Sequence, residues 1–342
     1  MNQIFEIELE VITPIHISSG KEISVNNYII KDGKFYKYNI NNVIKNLNDE
    51  EKNNFKKILS SDFATTRENI YKYILYNFNN INFDYIAEVS QKSGKINRSF
   101  TKNLIKDLYR KNIFNAKIEQ LNQFGIKEFI GVNNKKYIPG SSIKGAIRTA
   151  ILSERSNWKE IEKDQAINPF KFLMITDTLL FNNGIEISSI DRVSKNNFAE
   201  ILTIGHKVNF KIKIRKEAFQ IDNIVSCINN FYKKSVEYNI SGLQEMNRSL
   251  SNKDHKKKEK NNLIIENFKN ILLTIEGFQE NEFILNLGFG GGKIFKTIPT
   301  QKNRRFQPRP NSKISIESAG VPLTYNLINK RIMGWAKCKI IN

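Results

Sequence analysis

The sequence predicts an α+β fold built from two ferredoxin-like units, with a helical insertion in the N-terminal half. Three observations predict it. Apolar and polar residues alternate in strands near residue 5 and again near residue 210, whereas a parallel sheet buried on both faces would show solid apolar runs. Helical stretches separate strands in both halves of the chain. Hydrophobic residues make up 40% of the 342 and aromatics 11%, enough to fill the cores of two domains of ordinary size.

The first strand spans residues 4–12, with Phe5, Ile7, Leu9 and Val11 on one face and Glu6, Glu8 and Glu10 on the other; Thr13-Pro14 ends it. A loop of small residues, Ile15 to Lys21, follows, and then a hairpin of Tyr28–Ile30 and Lys34–Tyr38 turned by Asp32-Gly33. Residues 40–125 read as a polar helical insertion. Its apolar faces carry Phe55, Ile58 and Leu59, then Ile70, Tyr73 and Ile74, then Leu104, Ile105 and Leu108, with breaks at Asn79-Asn80 and Ser93-Gly94. Tyr137-Ile138-Pro139-Gly140-Ser141-Ser142 opens a helix with Ser141 or Ser142 as N-cap, a buried stripe of Ile143, Ile147, Ala150 and Ile151, and Lys144 and Arg148 one turn apart.

The chain resets at Asn168-Pro169, which divides it into residues 1–165 and 166–342, the second half with its own helical insertion at about 220–275. Phe172–Asp177 and the alternating Val208, Phe210, Ile212 and Ile214 are its first strands. Helices follow at about 222–246 and 262–275, with lysine-rich Ser251–Lys260 read as a solvated mobile loop between them. Phe283–Leu287 runs into Gly288-Phe289-Gly290-Gly291-Gly292-Lys293, Lys302–Pro310 is basic and irregular, and Arg331–Cys338 is the last strand.

Charge sets the function class. Lys and Arg number 54 against 34 Asp and Glu, a formal net charge of +20. Such an excess attracts polyanions, and the common cytosolic polyanion is nucleic acid. A codon bias toward Asn, Lys and Ile is the competing source of the lysines. No run approaches the ~18 uncharged apolar residues of a membrane span. The acidic, alternating start is unlike a signal peptide, so the expected location is the cytoplasm with no membrane partner. Cys227 and Cys338 have no CxxC spacing, which excludes a disulfide scaffold and a cysteine-rich zinc site.

Two elements could hold phosphate. The run at 288–293 places four glycines in five positions, so its backbone can expose N–H groups as an anion nest. It is not a P-loop, because Ile294 stands where Ser or Thr binds magnesium, nor a dinucleotide fingerprint, because Lys293 replaces the third glycine; Leu287 and Gly291 break the RRM octamer. A plain tight turn packed on a helix is the competing reading. The helix tip at Ser141-Ser142 is the second element, its N–H groups and partial positive charge reinforced by Lys144 and Arg148, against the alternative of a capped surface helix. His16, on the loop after the first strand, is the one candidate general base for metal-free RNA cleavage; a hydrogen-bonding loop histidine is the alternative. His206 and His255 form no ligand spacing with it, and Asp32 and Asp177 read as structural. No cofactor or metal is implied.

With these elements in view, the chain resembles the CRISPR-associated RAMP superfamily. The resemblance rests on Thr13-Pro14-Ile15-His16-Ile17-Ser18-Ser19-Gly20, on Ile138 to Thr149, and on Gly288 to Lys293. With Ile190-Asp191-Arg192 and Met333-Gly334-Trp335 added, the order is most similar to the head-capping, fifth-subunit branch of type III-A Csm effectors. These motifs are short pieces distributed over the whole chain. The resemblance implies two RRM-like domains and a non-catalytic crRNA-binding subunit that caps the guide near its 3′ end. It also implies contact with the backbone RAMP subunit and other Csm subunits, and a part in crRNA maturation that includes recruiting host nucleases. The residues it marks for RNA are His16, Ser18, Ser19, Gly20, Ser141, Ser142, Lys144, Arg148, Arg192, Gly288, Gly290, Gly291, Gly292 and Lys293. A Cas6-like processing endoribonuclease using His16 is the alternative.

Overall fold

The computed structural model describes residues 1–45, 47–59, 63–89, 125–155, 161, 168–190, 197–251, 254–296 and 325–342. The fold is mixed α/β. The chain opens with β1 (Asn2–Val11), β2 (Ser18–Ile23) and the hairpin β3 (Tyr28–Lys31)–β4 (Lys34–Lys37), followed by α1 (Ile40–Lys45), α2 (Asp49–Leu59) and α3 (Phe63–Tyr76). Next come β5 (Tyr85–Val89), β6 (Ile126–Phe129), the small pair β7 (Gly131–Val132) and β8 (Lys135–Lys136), α4 (Gly140–Ser153) and β9 (Leu173–Ile175). Strands β10 (Ile185–Ile190), β11 (Asn197–Leu202) and β12 (Lys207–Arg215) precede two long helices, α5 (Ile221–Ser249) and α6 (His255–Glu276). The last strands are β13 (Glu282–Asn286), the pair β14 (Leu327–Ile328) and β15 (Arg331–Ile332), and β16 (Trp335–Ile340).

Two compact units result, and they interleave. One takes Met1–Ile17, Tyr137–Phe181 and Leu202–Asn342; the other takes Ser18–Lys136 and Asn182–Ile201. They are not the consecutive halves 1–165 and 166–342, because the strand at the extreme N-terminus pairs with strands far away in sequence. The first unit has the five-stranded order β13-β16-β1-β12-β9. Within it β1 lies antiparallel to β12 (Ile7 opposite Phe210) and to β16 (Leu9 opposite Cys338). The alternation read from the sequence is the reason β1 can sit there. Ile7, Leu9 and Val11 join Val208, Phe210, Ile212 and Ile214 on the buried face.

The other face of this sheet is a lattice of opposite charges. Glu6 stands opposite Lys211 and Glu10 opposite Lys207. Lys207 Nζ lies 2.9 Å from Glu8 and Lys337 Nζ 2.9 Å from Glu282. A pair as exposed as Lys207–Glu8 contributes little by itself, but together with the pair to buried Glu282 these contacts cancel much of the positive field over the sheet.

The second unit has the order β2-β6-β11-β10-β5-β4-β3. The Asp-Gly hairpin forms as expected, with Asp32 at φ +50° and Gly33 at φ +76°. The helices α1, α2 and α3 form within the predicted insertion, and Val43, Phe55, Ile70 and Ile74 pack with Ile29 and Tyr38 in one cluster. The predicted insertion also hides a strand: Tyr85 to Val89 alternates buried and exposed and becomes β5, parallel to β10. The helical face at Leu104, Ile105 and Leu108 and the basic segment 302–310 lie outside the described residues. The small-residue loop is corrected too, since Ser18–Ile23 is the edge strand β2, irregular between Ser18 and Glu22 where it pairs with β6.

An ionic knot fastens the second unit. Glu200 is fully buried on β11 and accepts from the Phe129 N–H at 2.7 Å and from Lys136 Nζ at 2.6 Å, while Lys136 also donates to the Phe129 carbonyl at 3.2 Å. Beside it, Lys37 Nζ donates to Glu128 at 2.6 Å. Burial alone would raise the Glu128 carboxyl, but the Lys37 hydrogen bond and charge, helped by Lys136, carry it below the ordinary range.

Removing one partner of the buried pair, as in Lys136→Met, should cost about 3–5 kcal/mol, because Glu200 is left buried without its cation. Lys136→Met with Glu200→Leu should recover much of that loss in the denaturant midpoint. Because the Glu128 pKa is depressed in the folded state, its stabilising contribution is present above the ordinary carboxylate value of about 4.3 and is lost as pH falls through the lower folded value. Glu128→Gln should therefore flatten the acid limb of a stability-versus-pH curve.

Candidate nucleic-acid interface

The segment after β1 is stitched down residue by residue. Ile12 and Thr13 both donate to the Trp335 carbonyl, at 2.9 and 3.0 Å, and the Gly334 N–H donates to the Pro14 carbonyl at 2.9 Å. Trp335 N–H donates in turn to Thr13 Oγ1 at 2.9 Å. Ile15 and Leu202 exchange main-chain bonds. The His16 carbonyl then accepts the Phe289 N–H at 2.7 Å. Two of the three motif segments therefore meet by backbone contact.

The glycine run is glycine because the chain's own groups occupy the space side chains would need. Gly288 has φ +70°, and a Cβ there would strike the His16 carbonyl. Gly292 has φ +103° and lies against the Tyr325 ring, where a Cβ would come 2.5 Å from Cε1. A Cβ at Gly290 would meet Met333 Sδ at 2.8 Å, and one at Gly291 would strike the Asn286 side chain. The Gly290 carbonyl accepts from Asn326 N–H at 3.2 Å. Gly291 and Gly292 are buried, whereas Gly288 to Gly290 are half-exposed. The full nest expected from the sequence is corrected to a packed turn with one open edge.

His16 is corrected as well. Its side chain is fully buried and its ring meets the edge of Phe289 at a centroid distance of 6.4 Å. An imidazole withdrawn from the surface cannot take a proton from RNA, so the structure gives the endoribonuclease reading no support.

The helix α4 is built differently from the sequence expectation. Its N-cap is Pro139, not Ser141 or Ser142, and the Gly140 N–H donates to Asp177 Oδ1 at 2.7 Å. Ile138 and Thr178 lace the same place together, N–H to Oγ1 at 2.9 Å and N–H to carbonyl at 3.0 Å. Asp177 thus puts the protein's own carboxylate on the positive end of the helix. What remains for an external anion is side-chain charge. Lys144 is half-buried, and burial, with Arg148 one turn on as a second cause, lowers its pKa. Arg148 lies 5.6 Å over the Phe170 ring. Among the described residues Lys144 has no ion-pair partner. Ser141 is exposed beside it.

A 3-10 turn, Lys293–Lys296, leaves the glycine run and packs against α4 and α5. It brings the third motif segment into the same unit. Ser18, Ser19 and Gly20 belong to the second unit, where Gly20 N–H donates to Ser18 Oγ at 3.0 Å and Ser19 Oγ reaches Glu128 at 3.5 Å. Gly20, at φ +81°, has open space around its α-carbon. Arg192 and the side chain of Lys293 lie outside the described residues. Among the described residues no group of three or more His, Cys, Asp or Glu could hold a metal, and no helix is long and apolar enough to cross a membrane.

Sequence reasoning missed Asp177 as a cap and Asn286 as the floor of the turn, buried under Gly291 and Gly334. Each had a signal: an acid straight after a short apolar strand, and one amide inside the otherwise apolar Phe283–Leu287.

A family model described as the RAMP superfamily matches residues 8–295. Among curated relatives, a CRISPR system Cms protein Csm5 of Methanocaldococcus jannaschii is 28% identical over 331 residues, covering 86% of this chain and 72% of the relative. A protein of the same description from Enterococcus italicus is 25% identical over 248 residues, 68% of this chain and 66% of the relative. Among solved structures, a chain of a Csm-crRNA-target RNA ternary complex in a type III-A CRISPR-Cas system has a TM-score of 0.60 at 15% identity, with 98% of this chain and 100% of that chain covered. That likeness is one of fold.

Two glycines with left-handed backbones separate the packing argument from the conformational one. Gly20→Ala should cost about 1–2 kcal/mol from φ alone. Gly288→Ala should add the collision with the His16 carbonyl, for a total of roughly 2–5 kcal/mol. Thermal melting of the two variants side by side measures the difference.

Proposed function

As this chain belongs to the RAMP superfamily, whose model spans residues 8–295, we propose that it is the non-catalytic crRNA-binding subunit that caps the guide's 3′ end in a type III-A Csm effector complex. Its partners are then crRNA, the backbone RAMP subunit and the other Csm subunits, with host nucleases recruited during crRNA maturation. The relatives that align along most of the chain carry the Csm5 description, which supports that assignment over any other RAMP role. Such a complex works in the cytoplasm as part of antiviral defence.

One observation carries the reading. The segment after β1, the glycine turn and α4 are drawn into a single unit by main-chain bonds and by the 3-10 turn between them. Lys144, with no ion-pair partner among the described residues, stands there with Arg148 and the exposed Ser141, while on the broad face of the sheet Lys207, Lys211 and Lys337 lie against glutamates. A sugar–phosphate chain is therefore drawn to the motif end and not to the sheet face. Gly288 to Gly290 offer the open backbone edge of the turn, and His16 serves by fixing it. Lys293 belongs to the same contact in this reading, and Arg192 and Ser18 to Gly20 are RNA contacts of the second unit.

The strand order also supports a ferredoxin-like first unit. β1, α4, β9, β12, the α5–α6 pair and β16 follow a βαββαβ path with neighbours β9-β12-β1-β16, and β13 is an added edge. The second ferredoxin-like unit would be carried by the seven-stranded sheet.

Charge reversal at Lys144 and Arg148 tests the proposal. The double variant should weaken binding to single-stranded RNA of any sequence to a similar degree, and should reduce the salt slope by about 0.7 for each phosphate no longer neutralised. Titrations of labelled RNAs at several salt concentrations measure both. Unchanged affinity with an unchanged slope would sink it.

A further inference from the structure

The helical pair α5–α6 extends beyond the core it serves. The last buried residue of α5 is Leu243 and the first of α6 is Asn261; among the described residues between them none is buried. The lysine-rich run read from the sequence as a loop is helical from His255. The protruding helices are joined by amides instead of apolar side chains. Asn247 Nδ2 donates to Asn262 Oδ1 at 2.8 Å, and Asn261 Nδ2 to Asn247 Oδ1 at 2.9 Å. The tip is thus a defined polar surface.

Its charge is lopsided. Arg248, Lys256, Lys257, Lys258 and Lys260 outnumber Glu245, Asp254 and Glu259. Lys257 pairs with Asp254 at 3.0 Å. Arg248, Lys256, Lys258 and Lys260 have no ion-pair partner among the described residues. Nearer the other end of α5 the pattern is opposite, with Lys233 paired to Glu276 at 3.6 Å and Lys234 to Glu154 at 3.1 Å. Lys233 and Lys234 are thus matched where α5 meets the core, whereas four of the five tip cations have no ion-pair partner among the described residues.

The tip also continues from the motif end of the unit. Tyr325, whose ring lies on Gly292, bonds to Asn239 of α5 and stacks edge-on against Phe268 of α6 at 5.2 Å. From Asn239 to Arg248, and from Phe268 to Lys257, the helices rise about 14–16 Å at ~1.5 Å per residue. At ~3.4 Å per stacked nucleotide that is a span of a few phosphates.

We propose that the α5–α6 tip is a second RNA-backbone contact, in which Arg248, Lys256, Lys258 and Lys260 hold phosphates a few nucleotides beyond those at the glycine turn. The contact reads charge and not base sequence. It rests on the reading of this unit as RNA-binding but uses a surface which that reading does not.

The test compares three variants of the full chain with wild type, using labelled single-stranded RNA of mixed sequence across a salt series. Lys256→Gln/Lys258→Gln/Lys260→Gln should lower affinity on the order of tenfold and reduce the salt slope by about 2, at ~0.7 per phosphate. Lys211→Gln/Lys213→Gln/Lys216→Gln removes the same charge elsewhere and should change both far less. Because none of the three lysines is buried or ion-paired among the described residues, the tip variant should melt like wild type. Wild-type binding by the tip variant overturns the proposal, as does an equal loss in both glutamine variants, which would make net charge the cause. Normal RNA binding with loss from the Csm complex also overturns it, in favour of a protein-docking tip. Lys144→Glu/Arg148→Glu separates the two claims: a loss there with an intact tip variant defeats only this proposal, and the reverse pattern defeats the glycine-turn reading.

Discussion

The candidate interface depends on β1 being paired along both edges. With β12 on one side and β16 on the other, its path is fixed before it reaches Thr13. The bonds that follow can then be made in register. Trp335, Gly334 and Phe289 meet Thr13, Pro14 and His16 one after another. A slip of one residue would send Ile7, Leu9 and Val11 to the wet face and the glutamates into the core. The buried stripe of β1 therefore sets the position of the glycine turn, although none of its residues is near the solvent edge of that turn.

The net charge of +20 is not spread evenly. On the five-stranded sheet lysines face glutamates across neighbouring strands, and in the second unit Lys136 and Lys37 are committed to Glu200 and Glu128. Among the described residues, Lys144 on α4 and Arg248, Lys256, Lys258 and Lys260 on the far end of the long helices have no ion-pair partner. At α4 even the helix's own positive end is taken by Asp177. Affinity for an anion there would rest on side-chain charge, whose contacts with phosphate weaken with salt and do not depend on base sequence.

What the sequence made legible was local. The period-two alternation of β1 and β12, the Asp-Gly turn at Asp32-Gly33, the stripe of Ile143, Ile147, Ala150 and Ile151 and the run of glycines all show within a dozen residues. The parts it hid are set by partners far along the chain. Tyr85–Val89 is a strand only because β4 and β10 flank it. Asp177 is a cap only because Gly140 is brought to it across 37 residues. The glycine run looked like a phosphate nest because composition cannot tell a backbone open to a ligand from one pressed against Asn286 and Tyr325. His16 failed for the same reason, since it is buried against residues far along the chain such as Phe289.

The placement of β16 also sets an order of events during synthesis. A sheet whose central strand is β1 and whose neighbours are β12 and β16 cannot close until β16 has left the ribosome. Most of the other unit emerges in one stretch, Ser18–Lys136, and needs only 182–201 in addition. A nascent chain therefore carries β1 with one edge unpaired until β16 emerges, and only then does the motif end acquire its shape.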